Sequence, residues 1–507
     1  MQSFAVFLCA ALPWLNPFAF GPAPPTVQWL FTLACCALLL PAIWRVPLAK
    51  VLASAWLAAA LLSAAMGLLQ YFGVAAIFRP WINTGELGEA FANLRQRNQF
   101  ATLSNIGLAA LLWWNARYAL RPAARHWQTA VIVAAVLLAL GNAASSSRTG
   151  LLQLLLLLAM AWVWQRPSSV QAQSGQWPVL LTAALAYVVA AFALPALAGL
   201  DSQAGGVLAR LQNGDPLCVS RMTLWSNVLH LIAQKPWFGW GWGELGYAHF
   251  VTLYPGERFC DILDNAHNLP LHLAVELGVP MSAALCATGA WLIWRARPWR
   301  ETDATRRLAW AVLALVLMHS MLEYPLWYGP FQMAFGLSLL LLWQPTDRPL
   351  EKVAGASGPL ALVSAMAALV LLAAVAYAAW DYRRISQIYQ TPEMRAPAYR
   401  EDTLAKIGNS WLFQNQVRFA ELTVSTVTPG DAKRLHDMAA QLLHFSSEPR
   451  VIEKIIESAA LLGLEQERQF YLLRYQAAFP QSHALWLQEN SGKAPDTAEL
   501  RLPPSAP

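Results

Sequence analysis

Long apolar runs, separated by short polar connections, dominate the first 380 residues of the chain. Two of these runs are 151–164 and 361–380. Because about 30 Å of hydrocarbon must be crossed at 1.5 Å per residue, apolar runs of roughly 18 or more residues predict membrane-spanning helices. The pattern contains about eleven such spans, one of them at 269–294. It therefore predicts an all-α, polytopic membrane protein.

The composition agrees with this pattern. Of the 507 residues, 57% are apolar and 13% are charged, whereas soluble domains average about 45–50% and about 25%. These values exclude a disordered chain, a secreted disulfide miniprotein and an ordinary cytosolic enzyme. The net charge of +6 is explained by cationic anchors in membrane loops, so we predict no nucleic-acid partner.

Lys and Arg in the connections predict the orientation, because cytoplasmic loops carry an excess of them. With the N-terminus inside, the inner connections hold thirteen of these residues and the outer ones eight. The odd number of spans then leaves the tail outside, and no signal-peptide cleavage site is evident. We predict a multi-pass membrane protein with its C-terminal region on the outer side.

The chain divides by composition into a transmembrane domain, 1–380, and a charged tail. Within the first, 200–268 is a large periplasmic loop with short helices, including an amphipathic stretch at 221–234. The tail, 381–490, has consecutive short helical patterns and predicts a soluble helical-hairpin domain. The Pro-rich end, 491–507, has a disordered composition.

Two of the six cysteines, Cys218 and Cys260, lie outside the predicted spans, both in the large loop. In an oxidising periplasm this pair would form a disulfide that closes the loop. The alternative is two free thiols.

The excess of Lys and Arg in cytoplasmic loops does not explain several arginines on the outer side: Arg95, Arg97, Arg148 and Arg221. Taken singly, each is explained as an anchor that reaches the headgroups or as a partner of surface carboxylates such as Glu89. As a set, they favour anion binding, because guanidinium groups bind phosphate bidentately.

The segment 264–280, DNAHNLPLHLAVELGVP, leads from the large loop into a span. Asp264 and His267 are close enough in sequence to share a helical face or a turn, and Asn268 follows. A carboxylate beside a histidine orients the ring and raises its basicity, so His267 is a candidate general base. His272 and Glu276 form either a structural pair or a supporting layer. A metal site formed by Asp264, His267 and His272 lacks HExxH or Cys-rich spacing, so we predict no metal and no cofactor.

A second polar segment, HSMLEYPLWYGPF (319–331), forms the outer turn between two spans. An ionisable group at the membrane edge is costly, so Glu323 is a candidate functional residue. An aromatic belt with a proline turn would explain Tyr324 and Tyr328 but not Glu323.

The motif PWFGWGWGELGY (236–247) lacks the strand and helix context of a nucleotide-binding loop. Its Gly and Trp residues suit lipid anchoring or stacking on sugar faces.

These segments resemble the Wzy/O-antigen ligase superfamily. The resemblance rests on SSSRTG (145–150), on the block that begins at Arg221 and on the His267–Asn268–Gly278 pattern, although Met281 departs from that pattern. NLRQRNQFAT (93–102), LEYPLWYGPF (322–331) and the tail from 381 are similar to the PglL-type bacterial O-oligosaccharyltransferases.

The resemblance implies metal-independent, inverting transfer of an oligosaccharide from undecaprenyl pyrophosphate to a Ser or Thr hydroxyl of a pilin-like protein. It assigns His267 as the general base, and Arg148, Arg221 and Arg97 to the pyrophosphate. Gln96, Asn98, Tyr324 and Tyr328 would position substrates. Proximity alone suggests Asp264 as the residue that orients His267.

Three rival functions stay open. An O-antigen ligase, with lipid A–core as acceptor, and a polymerase, with a second lipid-linked glycan as acceptor, share the donor chemistry. A transporter or lipid flippase would place ionisable residues midway along its spans, whereas here they gather at the outer rim.

Overall fold

The computed structural model describes residues 2–118, 124–165, 176–200, 216–344 and 359–490. Regular secondary structure in these ranges is entirely helical, which confirms the all-α prediction. The chain forms two compact units. The bundle unit comprises Met1–Asp215, His267–Leu269 and Ala284–Ala396. The loop–tail unit comprises Pro216–Ala266, Pro270–Ala283 and Pro397–Pro507.

Ten long helices of the described ranges belong wholly to the bundle unit. They are α1 (Gln2–Leu15), α2 (Pro24–Leu39), α3 (Leu48–Tyr71), α4 (Arg97–Tyr118), α5 (Ala124–Ala144), α6 (Arg148–Val163), α7 (Gln176–Leu197), α12 (Ala304–Ser320), α13 (Gly329–Trp343) and α14 (Pro359–Ile385).

Within the part of the chain that the structure describes, four helical segments are long and apolar enough to cross a membrane: Leu48–Tyr71, His126–Ala144, Gln176–Leu197 and Ala361–Tyr389. Four shorter apolar helices accompany them, at Gln2–Leu15, Pro25–Leu39, Arg148–Val163 and Gly329–Trp343. The count of eleven spans therefore stays a prediction.

Small residues bring α3, α4 and α5 close together. A methyl group on Gly107 would lie 2.3 Å from the Cβ atom of Ala60, and one on Gly141 would lie 2.7 Å from that of Ala64. Small residues allow such close helix packing in apolar bundles, where dispersion contacts rather than water exclusion hold helices together. These contacts fix α4, whose first turn carries the predicted site residues Arg97 and Asn98.

The predicted span at 269–294 is wrong as a single helix. The chain forms α10 (Leu269–Leu277) and α11 (Val279–Ala296), with Gly278 between them at φ +89°. A Cβ atom on Gly278 would lie 2.2 Å from the carbonyl oxygen of Trp237, so only glycine fits there.

The Gly- and Trp-rich motif explains this break. Its backbone covers the end of α10, because Trp240 N–H donates to Val275 O at 2.8 Å and Gly241 N–H donates to Glu276 O at 3.0 Å. Carbonyls at a helix end need such partners. The motif therefore has a structural role that its sequence did not reveal.

The loop–tail unit combines the large loop with the C-terminal helices. The loop supplies α8 (Arg221–Gln234), which confirms the predicted amphipathic helix, and α9 (Leu245–Val251). The tail helices are α15 (Thr403–Ile407), α16 (Gln414–Val424), α17 (Ala432–Leu442), α18 (Pro449–Leu461), α19 (Glu465–Ala478) and α20 (Pro480–Asn490).

The C-terminal helices share their core with the loop. Phe250 of α9 is buried among apolar side chains of α16 to α19, including Leu422, Leu435 and Ile455. The guanidinium of Arg474 also donates to Val251 O at 2.6 Å. The helix α14 runs to Ile385, past residue 381 where the tail domain is predicted to begin, and the loop–tail unit takes up the chain at Pro397. The tail domain 381–490 stays a prediction. The predicted disordered end, 491–507, lies outside the described residues.

A disulfide joins Cys218, before α8, to Cys260, and Cys260 N–H donates to Cys218 O at 3.0 Å. The bridge closes a loop with a sequence separation of 42 residues that contains α8 and α9. Closing a loop of this length restricts the unfolded chain, which corresponds to about 4 kcal/mol in the chain-entropy treatment.

The paired substitution C218S/C260S should therefore lower the stability of the loop–tail unit by about 2–4 kcal/mol. Thermal unfolding and limited proteolysis of 216–266 provide the measurements. The matched control is Cys286→Ser, because Cys286 is an exposed free thiol. Equal stability of the paired variant and the control, or free thiols at both positions in non-reducing peptide maps, would contradict the assignment.

Candidate active site

His267 lies in a small polar cavity of the bundle unit, with a volume of about 250 Å³. The cavity is lined by Gln96, Gln99, His267, His319, Glu323, Tyr324, Pro325 and Tyr328. It therefore unites residues from two segments that the sequence singled out separately, 93–102 and 319–331, with the candidate base.

Glu323 is the carboxylate that contacts the candidate base. Its Oε2 lies 2.9 Å from Nδ1 of His267, and its Oε1 accepts a hydrogen bond from the Asn98 amide at 3.1 Å. The residue is only 8% exposed. A carboxylate at Nδ1 holds the ring proton there and makes Nε2 the basic nitrogen.

Asn98 extends this pair into a chain of hydrogen bonds. Its side-chain oxygen accepts from the Ser147 hydroxyl at 2.6 Å, and Ser147 Oγ accepts from Gly150 N–H at 3.0 Å as the N-cap of α6. Arg148 is the first residue of α6. Side-chain hydrogen bonds thus connect Glu323, the partner of His267, with the start of the helix that carries Arg148.

Aromatic and amide side chains complete the walls of the cavity. The ring of Tyr324 meets His267 edge-on, with ring centroids 4.8 Å apart, and Tyr328 stacks beside Tyr324 at 5.8 Å. Gln96 Oε1 accepts from Gln99 N–H at 2.7 Å, which caps the start of α4. The Asn268 amide donates to Met321 O at 3.0 Å. Four predicted positioning residues therefore lie at or beside the base.

Three candidate segments carry a left-handed residue that is not glycine. The φ angles are +62° at Arg95, +53° at Ser146 and +51° at His267. Such conformations cost of order 1–3 kcal/mol and persist where the surroundings fix them, often at functional sites. The strain supports a functional role for these turns.

The predicted anion-binding arginines belong to both units. Arg97 begins α4 and pairs with Glu89 at 3.1 Å, which is the surface pairing that the sequence left open. Arg148 begins α6 in the bundle unit. Arg221 begins α8 in the loop–tail unit. All three are first residues of helices, where backbone N–H groups also favour anions.

The carboxylate beside His267 Nδ1 is one that proximity in sequence did not suggest. Glu323 occupies that position, although it lies 56 residues further along the chain. Sequence spacing favoured Asp264, an exposed residue of the loop–tail unit, because it is three residues from His267. The orienting role of Asp264 stays a prediction.

His272 and Glu276 have a structural role in the loop–tail unit. His272 Nε2 lies 3.5 Å from Glu276 Oε2, and Glu276 Oε1 accepts from Gly243 N–H at 3.0 Å. The pair therefore holds the Gly- and Trp-rich turn against α10. Across the described ranges, no three His, Cys, Asp or Glu side chains gather as a metal site would require.

A buried layer behind the cavity was missed by the sequence reasoning. His319 is fully buried, and its Nδ1 lies 2.9 Å from the Thr102 hydroxyl, which also donates to Asn98 O at 2.8 Å. The same hydroxyl lies 3.1 Å from the side-chain oxygen of Gln153. Sequence spacing could have revealed these residues, because Thr102 follows Asn98 by one helical turn and His319 precedes Glu323 by one helical turn.

Three family models match the chain in succession. Residues 90–114 match a model described as "Protein glycosylation ligase", 133–286 match "O-Antigen ligase" and 307–491 match "Virulence factor membrane-bound polymerase, C-terminal". Each match carries part of the cavity lining: Gln96 lies in the first, His267 in the second and Glu323 in the third.

These matches support assignment of the chain to the O-antigen ligase superfamily. They also support PglL-type features, since the glycosylation-ligase match covers Gln96, Arg97 and Asn98. The membrane-length helices and this similarity together indicate an integral membrane protein.

A curated relative is similar in sequence. The "General O-oligosaccharyltransferase" of Acinetobacter baylyi (strain ATCC 33305 / BD413 / ADP1) is 25% identical over 269 residues, which are 50% of this chain and 44% of that protein. The match thus spans less than half the length of the relative. No solved structure gives a significant match to the chain.

Proposed function

We propose that this protein transfers an oligosaccharide from undecaprenyl pyrophosphate to a Ser or Thr hydroxyl of an exported, pilin-like protein. The observation that carries the proposal is the His267–Glu323 pair in a cavity that combines all three family matches. The name of the similar protein, a general O-oligosaccharyltransferase, supports a protein acceptor.

His267 is the general base of the proposed reaction. Glu323 keeps the proton on Nδ1, so Nε2 takes the proton of the acceptor hydroxyl as its oxygen attacks the anomeric carbon. The bond between that carbon and the pyrophosphate oxygen breaks, and undecaprenyl pyrophosphate leaves. This single displacement inverts the anomeric configuration.

The leaving group carries the developing charge, and arginines stabilise it. Arg148 is connected to the His267 chain through Ser147 and Asn98, which supports its assignment to the pyrophosphate. We assign Arg221 and Arg97 to the same anion. Fixed guanidinium groups supply positive charge at neutral pH without a metal ion, so the proposal includes metal independence and no cofactor.

The proposed location is the bacterial inner membrane, with the cavity and the tail on the periplasmic side. Exported acceptors and lipid-linked glycans meet there, and an oxidising compartment permits the Cys218–Cys260 disulfide. Tyr324 and Tyr328 present ring faces and hydroxyls beside the base, which suits contact with a sugar or an acceptor loop.

Substitution of either member of the pair should reduce glycan transfer while the protein still folds. His267→Ala removes the base and should lower kcat by about 10²–10⁴-fold, and Glu323→Gln should lower it by about 10²-fold because the amide lacks the charge. Single-turnover transfer in vitro measures both effects. His126→Ala, an exposed histidine of α5, is the matched control. Wild-type rates for His267→Ala would exclude the general-base assignment.

Acceptor choice separates the proposed function from its rivals. Purified protein is supplied with lipid-linked glycan and, in separate reactions, a pilin, lipid A–core or a second lipid-linked glycan. We expect product only with the pilin. The rate should be the same with and without about 5 mM EDTA, because no step uses a metal. Transfer to lipid A–core alone would assign an O-antigen ligase, which the match at 133–286 also suggests. Chain elongation would assign a polymerase.

A further inference from the structure

An apolar groove runs between α2 and α13 of the bundle unit, with a volume of about 320 Å³. Its walls are aliphatic and flexible: Leu33, Leu40 and Ile43 on one side, and Met333, Leu337 and Leu340 on the other. The polar residues among its lining, Thr32 and Gln332, lie toward the start of α13. The rest of the groove is therefore apolar and suits contact with a hydrocarbon chain.

The two helices touch at one end of the groove and leave space further along. A Cβ atom on Gly329 would lie 2.5 Å from the Thr32 hydroxyl oxygen, so the Thr32 side chain packs directly against the backbone of α13 there. A Cβ atom on Gly336 would meet nothing within 4 Å. These glycines are seven residues apart, which is about 10 Å along a helix. The groove is thus open beside Gly336 and closed beside Gly329.

The closed end adjoins the catalytic cavity. Tyr328 lines the cavity, and Gly329, the next residue, lines the groove. A polar clasp fixes this junction, because Gln332 accepts from the Trp29 indole N–H at 3.1 Å and donates to Leu326 O at 2.7 Å. One segment, 324–332, therefore has the polar cavity at one end and the apolar groove at the other.

We propose that this groove holds the polyisoprenoid chain of the glycan donor. The inference rests on the proposed function, since a donor with a polar reacting head and a long apolar tail needs adjoining sites of both kinds. The open space beside Gly336 and the flexible Met333 accommodate a methyl-branched chain. The clasp between Trp29 and Gln332 then marks where the tail ends and the pyrophosphate begins.

The groove is tested by filling it. Gly336→Phe places a ring in space that is now open and replaces a helix-weakening glycine, so the helix itself should form at least as well. We expect the KM for a donor with a full undecaprenyl chain to rise by about tenfold. The kcat should change by less than about twofold, because the reacting groups are untouched. A donor with a short prenyl chain, which does not reach Gly336, should keep its wild-type KM.

Leu339→Phe is the matched control. Leu339 is on the same helix and 48% exposed, but it does not line the groove. Its KM for both donors should equal that of the wild type. An unchanged KM for the long donor in Gly336→Phe, or an equal rise for both donors, would overturn the proposal.

A binding experiment separates this proposal from the proposed function. Undecaprenyl phosphate with a photoreactive group in its tail, and no glycan, is incubated with the purified wild-type protein in lipid nanodiscs. We expect labelling of peptides 24–43 and 329–343, and its loss in Gly336→Phe. Such labelling in a protein that transfers no glycan would support the groove while the proposed function fails. Equal labelling by a phospholipid with the same photoreactive group, or labelling only elsewhere, would overturn the groove.

Discussion

The contact between Glu323 and His267 is the interaction on which the cavity depends. A carboxylate that is 8% exposed costs several kcal/mol to bury unless a partner and hydrogen bonds compensate. Here the imidazole and the Asn98 amide occupy its two oxygens. Removing either partner would leave a buried charge uncompensated, so the arrangement holds three distant parts of the chain in one geometry.

The rest of the bundle can be understood as support for this polar pair in apolar surroundings. Close packing of α3, α4 and α5 at glycines fixes the start of α4, where Asn98 lies. Behind it, Thr102 and His319 hydrogen-bond in the interior, so the polar groups have partners without water.

Local patterns predicted the elements, and contacts distant in sequence decided the site. The helices α8 and α16 to α19 followed from apolar spacing, and the chemistry of His267 and Glu323 followed from their exceptional polarity at the membrane edge. The pairing itself did not follow, because Asp264 was nearer in sequence. The break at Gly278 was missed for the same reason: the Trp237 carbonyl that requires glycine there comes from 41 residues earlier.

The most direct test of the account is a double-mutant cycle on His267 and Glu323, measured as kcat/KM for glycan transfer. If Glu323 acts through the imidazole, Glu323→Gln lowers kcat/KM in the wild-type background and has no further effect in His267→Ala. The coupling energy then equals the whole effect of the glutamine substitution. An equal loss in both backgrounds would show that the two residues act independently and would contradict the account.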